Sequence, residues 1–93
     1  MHSYLVCYDI EDDRERTRIA HLLEGYGQRV QYSVFEVHLG RPGDLERLKG
    51  EMRELLADPG AEVRLYRLTA DGIAASHKLD GSPLARRDLV VIL

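Results

Sequence analysis

The chain has no tryptophan, one cysteine, three prolines and one phenylalanine among 93 residues. A single cysteine cannot close an intramolecular disulfide. Cys7 lies in the apolar run Leu5-Val6-Cys7-Tyr8, so it reads as a buried, reduced thiol rather than a nucleophile. No apolar run approaches the roughly 20 residues that span a bilayer. The opening segment, Met1 to Asp9, lacks the charged n-region and small-residue cleavage site of a signal peptide, and a cytoplasmic, non-membrane protein is expected. The histidines at 2, 21, 38 and 77 lack zinc-site spacing, and Gly25-Tyr26-Gly27 reads as a helix end rather than a phosphate loop. Lysine is nearly missing, with 2 against 11 arginines. The arginine fork suits phosphate contacts, but a genome biased towards arginine codons explains the same ratio. The net charge of −3 argues against a generic polyanion binder.

What is present is ordinary globular composition, 44% hydrophobic and 31% charged, at the size of one domain (core 3–68, tail 69–93). Ser3 to Tyr8 predicts a buried strand. Asp12-Asp13-Arg14-Glu15 is a capping box, followed by the apolar stripe Ile19, Leu22, Leu23 and Tyr26, with Gly27 as the C-terminal cap. Between Arg29 and Leu39 the apolar parity flips from Val30, Tyr32 and Val34 to Phe35, Val37 and Leu39. A strand cannot change faces without a bulge or turn, so two strands joined near Gln31 to Ser33 are expected. Pro42 and Asp44 open a second helix carrying Leu45, Leu48, Met52, Leu55 and Leu56; Asp58-Pro59-Gly60 ends it. Glu62 to Leu68 alternates as a last core strand. The order β-α-β-β-α-β predicts an α+β, ferredoxin-like sandwich with both helices on one sheet face. A polar stretch and a brief Ser76 to Leu79 segment follow. The apolar Leu89-Val90-Val91-Ile92-Leu93 then predicts an extra C-terminal strand that pairs with a sheet edge, and a homodimer is favoured.

Asp9 ends the first strand, where functional groups are commonly presented, while Glu11, Asp12 and Asp13 are available for turn and cap duties. Arg16 lies about 60° from the Ile19 line of the helix, which is expected to bring its guanidinium to the strand end beside Asp9. The pair is equally well a structural ion pair. A lone carboxylate is a poor metal site. Two Asp9 side chains brought together by a two-fold axis repel unless a cation lies between them, and Mg²⁺ is satisfied by one or two carboxylates with water and phosphate oxygens.

Tyr4-Leu5-Val6-Cys7-Tyr8-Asp9-Ile10, the Asp12-Asp13-Arg14-Glu15-Arg16 helix start, Gly27-Gln28-Arg29-Val30-Gln31-Tyr32-Ser33-Val34-Phe35-Glu36 and the strand Val63 to Leu68 together resemble the CRISPR-associated protein 2 family. The resemblance covers about residues 3 to 68. It implies a ferredoxin-like homodimer whose C-terminal strand joins the partner's sheet. It also implies a role in spacer acquisition, with dimers of the CRISPR integrase docked on it and a DNA fragment spanning the complex. Members are described as metal-dependent endonucleases for single-stranded RNA or double-stranded DNA, implying Mg²⁺ or Mn²⁺ as cofactor. By motif position Asp9 matches the metal-binding aspartate and Tyr8 its neighbour. Arg16 and Arg18 match the family's helix arginines, and Arg29 and Phe35 match residues around its active site. Three functions therefore stand side by side: a Mg²⁺-dependent nuclease built on an Asp9 pair, a non-catalytic DNA-holding scaffold, and a generic ligand- or partner-binding module.

Overall fold

The computed structural model describes residues 2–84; the C-terminal strand expected at Leu89 to Leu93 lies outside them. The elements run β1 (His2–Asp9), α1 (Asp13–Glu24), β2 (Gly27–Gln31), β3 (Val34–Leu39), α2 (Asp44–Leu55), β4 (Glu62–Leu68) and α3 (Ala70–Ala75). The four strands form one sheet in the order β2-β3-β1-β4, and every neighbouring pair is antiparallel. This is the expected α+β arrangement. No helix among the described residues is long and apolar enough to cross a membrane.

β1 is central because its apolar residues serve both of its neighbours. Val6 lies opposite Phe35 on one side and Leu65 on the other. Successive strand residues face opposite sides of a sheet. Val6, Tyr8, Phe35 and Val37 therefore join Ile19 and Leu23 of α1 and Leu48 and Met52 of α2 in one buried core. Ser3, Leu5, Cys7 and Asp9 have the opposite parity. Cys7 is accordingly half-buried rather than part of that core, which corrects the expectation of full burial.

Local chemistry sets the element ends. Asp12 caps α1, its side chain accepting from the Glu15 amide at 2.9 Å. The reciprocal half of the capping box is not formed, because Glu15 instead accepts from the amide of Ala57 at 3.3 Å. The helix ends at Gly25, not Gly27. Gly27 instead begins β2, and a Cβ there would lie 1.9 Å from the carbonyl oxygen of Glu36. It is a close-approach glycine that lets β2 come against β3. The β2–β3 turn falls at Tyr32 and Ser33, as the parity flip predicts. α2 starts at Asp44 after Gly43 in a left-handed conformation (φ 89°), and Asp44 accepts from the amide of Arg41 at 3.0 Å. α3 replaces the expected polar stretch; Thr69 caps it by accepting from the Gly72 amide at 3.0 Å. Where a Ser76 to Leu79 segment was expected, a single bridge joins His77 to Pro83.

Three substitutions test this account. Gly27→Ala should lower stability by about 1–3 kcal/mol or more in urea unfolding. Gly40→Ala, whose added methyl meets nothing within 4 Å, should stay within about 0.5 kcal/mol of wild type. Asp12→Ala should cost about 1 kcal/mol through loss of the α1 cap. Equal midpoints for the two glycine variants would overturn the close-approach role of Gly27.

Candidate functional site

The six residues singled out from the sequence do not form one cluster. Tyr8, Arg16 and Arg29 line a cleft of about 360 Å³ between α1 and the β2–β3 hairpin, with Thr17, Ala20, His21, Glu24 and Tyr32. Phe35 forms part of its support. It is fully buried opposite Arg29, and its ring centroid lies 6.4 Å from that of Tyr8. Asp9 is exposed and has the parity of the other sheet face, beside Glu62 of β4. Arg18 is exposed and lines a separate shallow depression with Asp13, Arg14 and Thr17.

β2 explains how Arg29 reaches the cleft. The register between β2 and β3 shifts between Arg29 and Gln31, a bulge that leaves Val30 without a ladder partner. Bulges re-aim neighbouring side chains. Here the Arg29 guanidinium carbon lies 5.3 Å from the Phe35 ring centroid and 5.9 Å from that of Tyr32. Stacking on two rings holds the guanidinium plane and leaves its N–H edge for other partners. Among the described residues Arg29 forms no ion pair.

Arg16 is differently employed. Its Nη1 donates to the carbonyl of Ile10 at 2.7 Å and, less directly, to that of Glu11 at 3.3 Å. Its Nη2 pairs with Asp13 one turn earlier on the same helix. The guanidinium does sit at the end of β1, as the helix phase predicts. Its carboxylate partner, however, is Asp13 and not Asp9. The expected Asp9–Arg16 pair fails because strand parity turns Asp9 away from the helix side, while Asp13 shares the first turn of α1 with Arg16. Asp9 consequently makes no hydrogen bond or ion pair among the described residues, and its carboxylate is free for an external partner. Glu62, its cross-strand neighbour, bonds Arg64 at 3.1 Å.

Tyr8 is the unusual group in the cleft. Its side chain is 6% exposed, and its hydroxyl has no hydrogen-bond partner of acceptable geometry. Burial pushes the phenol above its ordinary range, while the Arg29 cation, next in weight, pulls it back. The hydroxyl thus stays protonated, a donor without an acceptor beside a cation. Asp13 holds the Arg16 guanidinium firmly protonated.

Reading the sequence missed Thr17, His21 and Tyr32 as cleft residues. Arg16, Thr17, Ala20, His21 and Glu24 occupy positions i, i+1, i+4, i+5 and i+8, a second stripe of α1 flanking the apolar one. That spacing was legible, but nothing in it said that β2 would pack alongside. Among the described residues no three or more His, Cys, Asp or Glu side chains are grouped to hold a metal ion.

Comparison with known proteins aligns with this architecture. The family model described as CRISPR associated protein Cas2 matches residues 1–74. A protein of Synechocystis sp. named CRISPR-associated endoribonuclease Cas2 3 is 45% identical over 69 residues, 74% of each chain. One of Chloroflexus aurantiacus named CRISPR-associated endoribonuclease Cas2 1 is 48% identical over 68 residues, 72% of each chain. Among solved structures, a chain of a partial Cas6-RT-Cas1–Cas2 complex superposes with a TM-score of 0.79 at 36% identity, covering 91% of this chain and 98% of that one.

Two of the phenols give a pH test. Tyr8 and Tyr26 both hold their protons above the ordinary value of 10.0, Tyr8 through burial and Tyr26 through its hydrogen bond to Glu51. The folded chain therefore binds these protons more tightly than the unfolded one, so stability is retained below that value and falls as pH rises through it. Phenolate absorbance should show Tyr8 and Tyr26 ionising late, and Tyr8→Phe should flatten the alkaline loss of stability. At neutral pH Tyr8→Phe should be neutral or slightly stabilising, since it removes an unsatisfied donor, whereas Phe35→Ala should cost about 3–5 kcal/mol. A strongly destabilised Tyr8→Phe would show that the hydroxyl has a partner.

Proposed function

The chain belongs to the CRISPR associated protein Cas2 family, and from that premise we propose that it is a metal-dependent phosphodiester endonuclease that also serves spacer acquisition beside a Cas1-type integrase in the cytoplasm. The observation that carries the nuclease reading is the free carboxylate of Asp9 at the end of β1, exposed and without a protein partner among the described residues. Its relatives' names, endoribonuclease Cas2, support the same chemistry.

The described residues of one protomer group no three His, Cys, Asp or Glu side chains around a metal position. The exposed carboxylate of Asp9 fits a hard cation that keeps most of its water and takes only one or two carboxylates, Mg²⁺ or Mn²⁺. A homodimer that brings Asp9 against its symmetry mate completes such a set. When bound, the ion supplies an activated water and offsets charge on the scissile phosphate. The chain's own contribution is to hold Asp9 on a central strand whose register is fixed on both sides, so the carboxylate is presented from a rigid element. Substrates are RNA or DNA strands recognised through phosphates, because guanidinium contacts to the backbone carry no sequence information.

The likeness to a chain of a Cas1–Cas2 assembly favours a second role, a dimeric scaffold that holds double-stranded DNA for the integrase. The two roles are compatible and separable. Asp9→Asn should fold with an unchanged melting temperature and lose Mg²⁺-stimulated cleavage of RNA and DNA substrates by at least about 100-fold. A purified Asp9→Asn variant that cuts like wild type would remove Asp9 from the mechanism.

A further inference from the structure

Asp9 stands opposite a like charge. The register of β1 against β4 pairs it directly with Glu62, and residues so paired share one sheet face with Cβ atoms about 5 Å apart. Like charges in that position oppose strand pairing, so stability does not account for them. Glu36 has the same parity, but it lies opposite Leu5, four residues and so about 13 Å along the strand. Asp12, Asp13 and Asp58, near the same end, are engaged locally. Asp12 caps α1, Asp13 pairs with Arg16, and Asp58 accepts from the Gly60 amide at 2.8 Å.

Glu62 is held by a side chain that a metal cation can displace. Its Oε1 accepts from Nε of Arg64 at 3.1 Å, two residues along the same strand face. The two side chains keep 60% and 61% of their surface exposed, so water screens the pair and the bond is weak. Arg64 also donates to the Tyr66 hydroxyl at 3.4 Å, one further step along that face. Its guanidinium therefore keeps an anchor when Glu62 is withdrawn. A weak, exchangeable ion pair thus lies directly beside the free carboxylate of Asp9, on two strands whose register is fixed.

We propose that Glu62 is a second carboxylate ligand of the Asp9 cation site, supplied by the same protomer, and that Arg64 holds it back until the ion binds. The inference rests on the metal reading of Asp9 given above. It adds which side chain joins Asp9 and what competes for that side chain. Two carboxylates on adjacent strands suit Mg²⁺ or Mn²⁺, which takes one or two such groups and keeps water in the remaining positions. A cation between them also removes the repulsion that the register builds in. Each protomer then carries its own pair of carboxylates, with or without a symmetry mate nearby. Arg64 is a positioning residue, because it acts on the ion only through Glu62.

The test is Mn²⁺ binding to the full-length protein without nucleic acid, read from loss of the free-ion electron paramagnetic resonance signal. Circular dichroism verifies the fold of each variant. Glu62→Gln should weaken binding by at least about 10-fold. Arg64→Gln should tighten it by about 2- to 5-fold, because the competing guanidinium is gone. In the Glu62→Gln background the same Arg64→Gln change should have no effect. Glu46→Gln, which removes a similarly exposed carboxylate from α2, should bind like wild type. An Arg64→Gln gain that persists without Glu62 would reduce Arg64 to a general field effect and overturn its positioning role. Glu62→Gln that binds like wild type, while Asp9→Asn does not, would overturn the second ligand and leave Asp9 in place. Asp9→Asn that binds Mn²⁺ like wild type would overturn the metal reading and this inference together.

Discussion

Adjacent residues of an extended strand point to opposite faces of its sheet, and in β1 this constraint separates two groups that are neighbours in the chain. Tyr8 goes beneath α1 into the core, whereas Asp9 emerges on the other side. β1 has no freedom to change this. It is paired to β3 from His2 to Cys7 and to β4 from Ser3 to Asp9, and a slip of one residue would carry Val6 and Tyr8 out of the core. The candidate residues Tyr8 and Asp9 are divided by that parity.

On the helix side, parity and packing produce a cationic, aromatic cleft. Gly27 lets β2 approach β3 closely, the bulge after Arg29 re-aims the strand, and Phe35 supplies a buried ring for the guanidinium. The same packing strips water from the Tyr8 hydroxyl without replacing it. On the far side, parity leaves Asp9 next to Glu62, whose charge is taken up by Arg64. Asp9 remains the carboxylate at that strand end with nothing bound to it among the described residues. The exposed carboxylate of Asp9 and the cleft lined by Tyr8, Arg16 and Arg29 thus lie on opposite faces of one strand.

Arg16 shows how the two faces are kept apart energetically. A guanidinium shared between Asp9 and Asp13 would tie the candidate metal ligand into a structural pair. Instead its donors go to the carbonyls of Ile10 and Glu11 and to Asp13. Those bonds close the β1–α1 connection and leave Asp9 unneutralised. The Asp13 side of the ion pair is exposed to solvent, so the pair itself is worth little to stability. Its consequence is positional.

Much of this was legible in the residues. Period-two and period-3.6 apolar patterns determined the strands and helices through β4, the parity flip located the β2–β3 turn, and the Asp12 cap marked the start of α1. The family motifs singled out Tyr8, Asp9, Arg16 and Arg29. These are local signals, set by backbone geometry and by which side of an element must be buried. The sequence could not reveal that Gly27 was a contact glycine rather than a helix cap, that Arg16 would choose Asp13, or that Thr17, His21 and Tyr32 would meet Tyr8. Those outcomes depend on how α1 and β2 lie against each other, a relation between segments that no single periodicity encodes. The tertiary structure alone decided what each face of β1 meets, because burial depends on which segments pack against a strand and not on its own alternation.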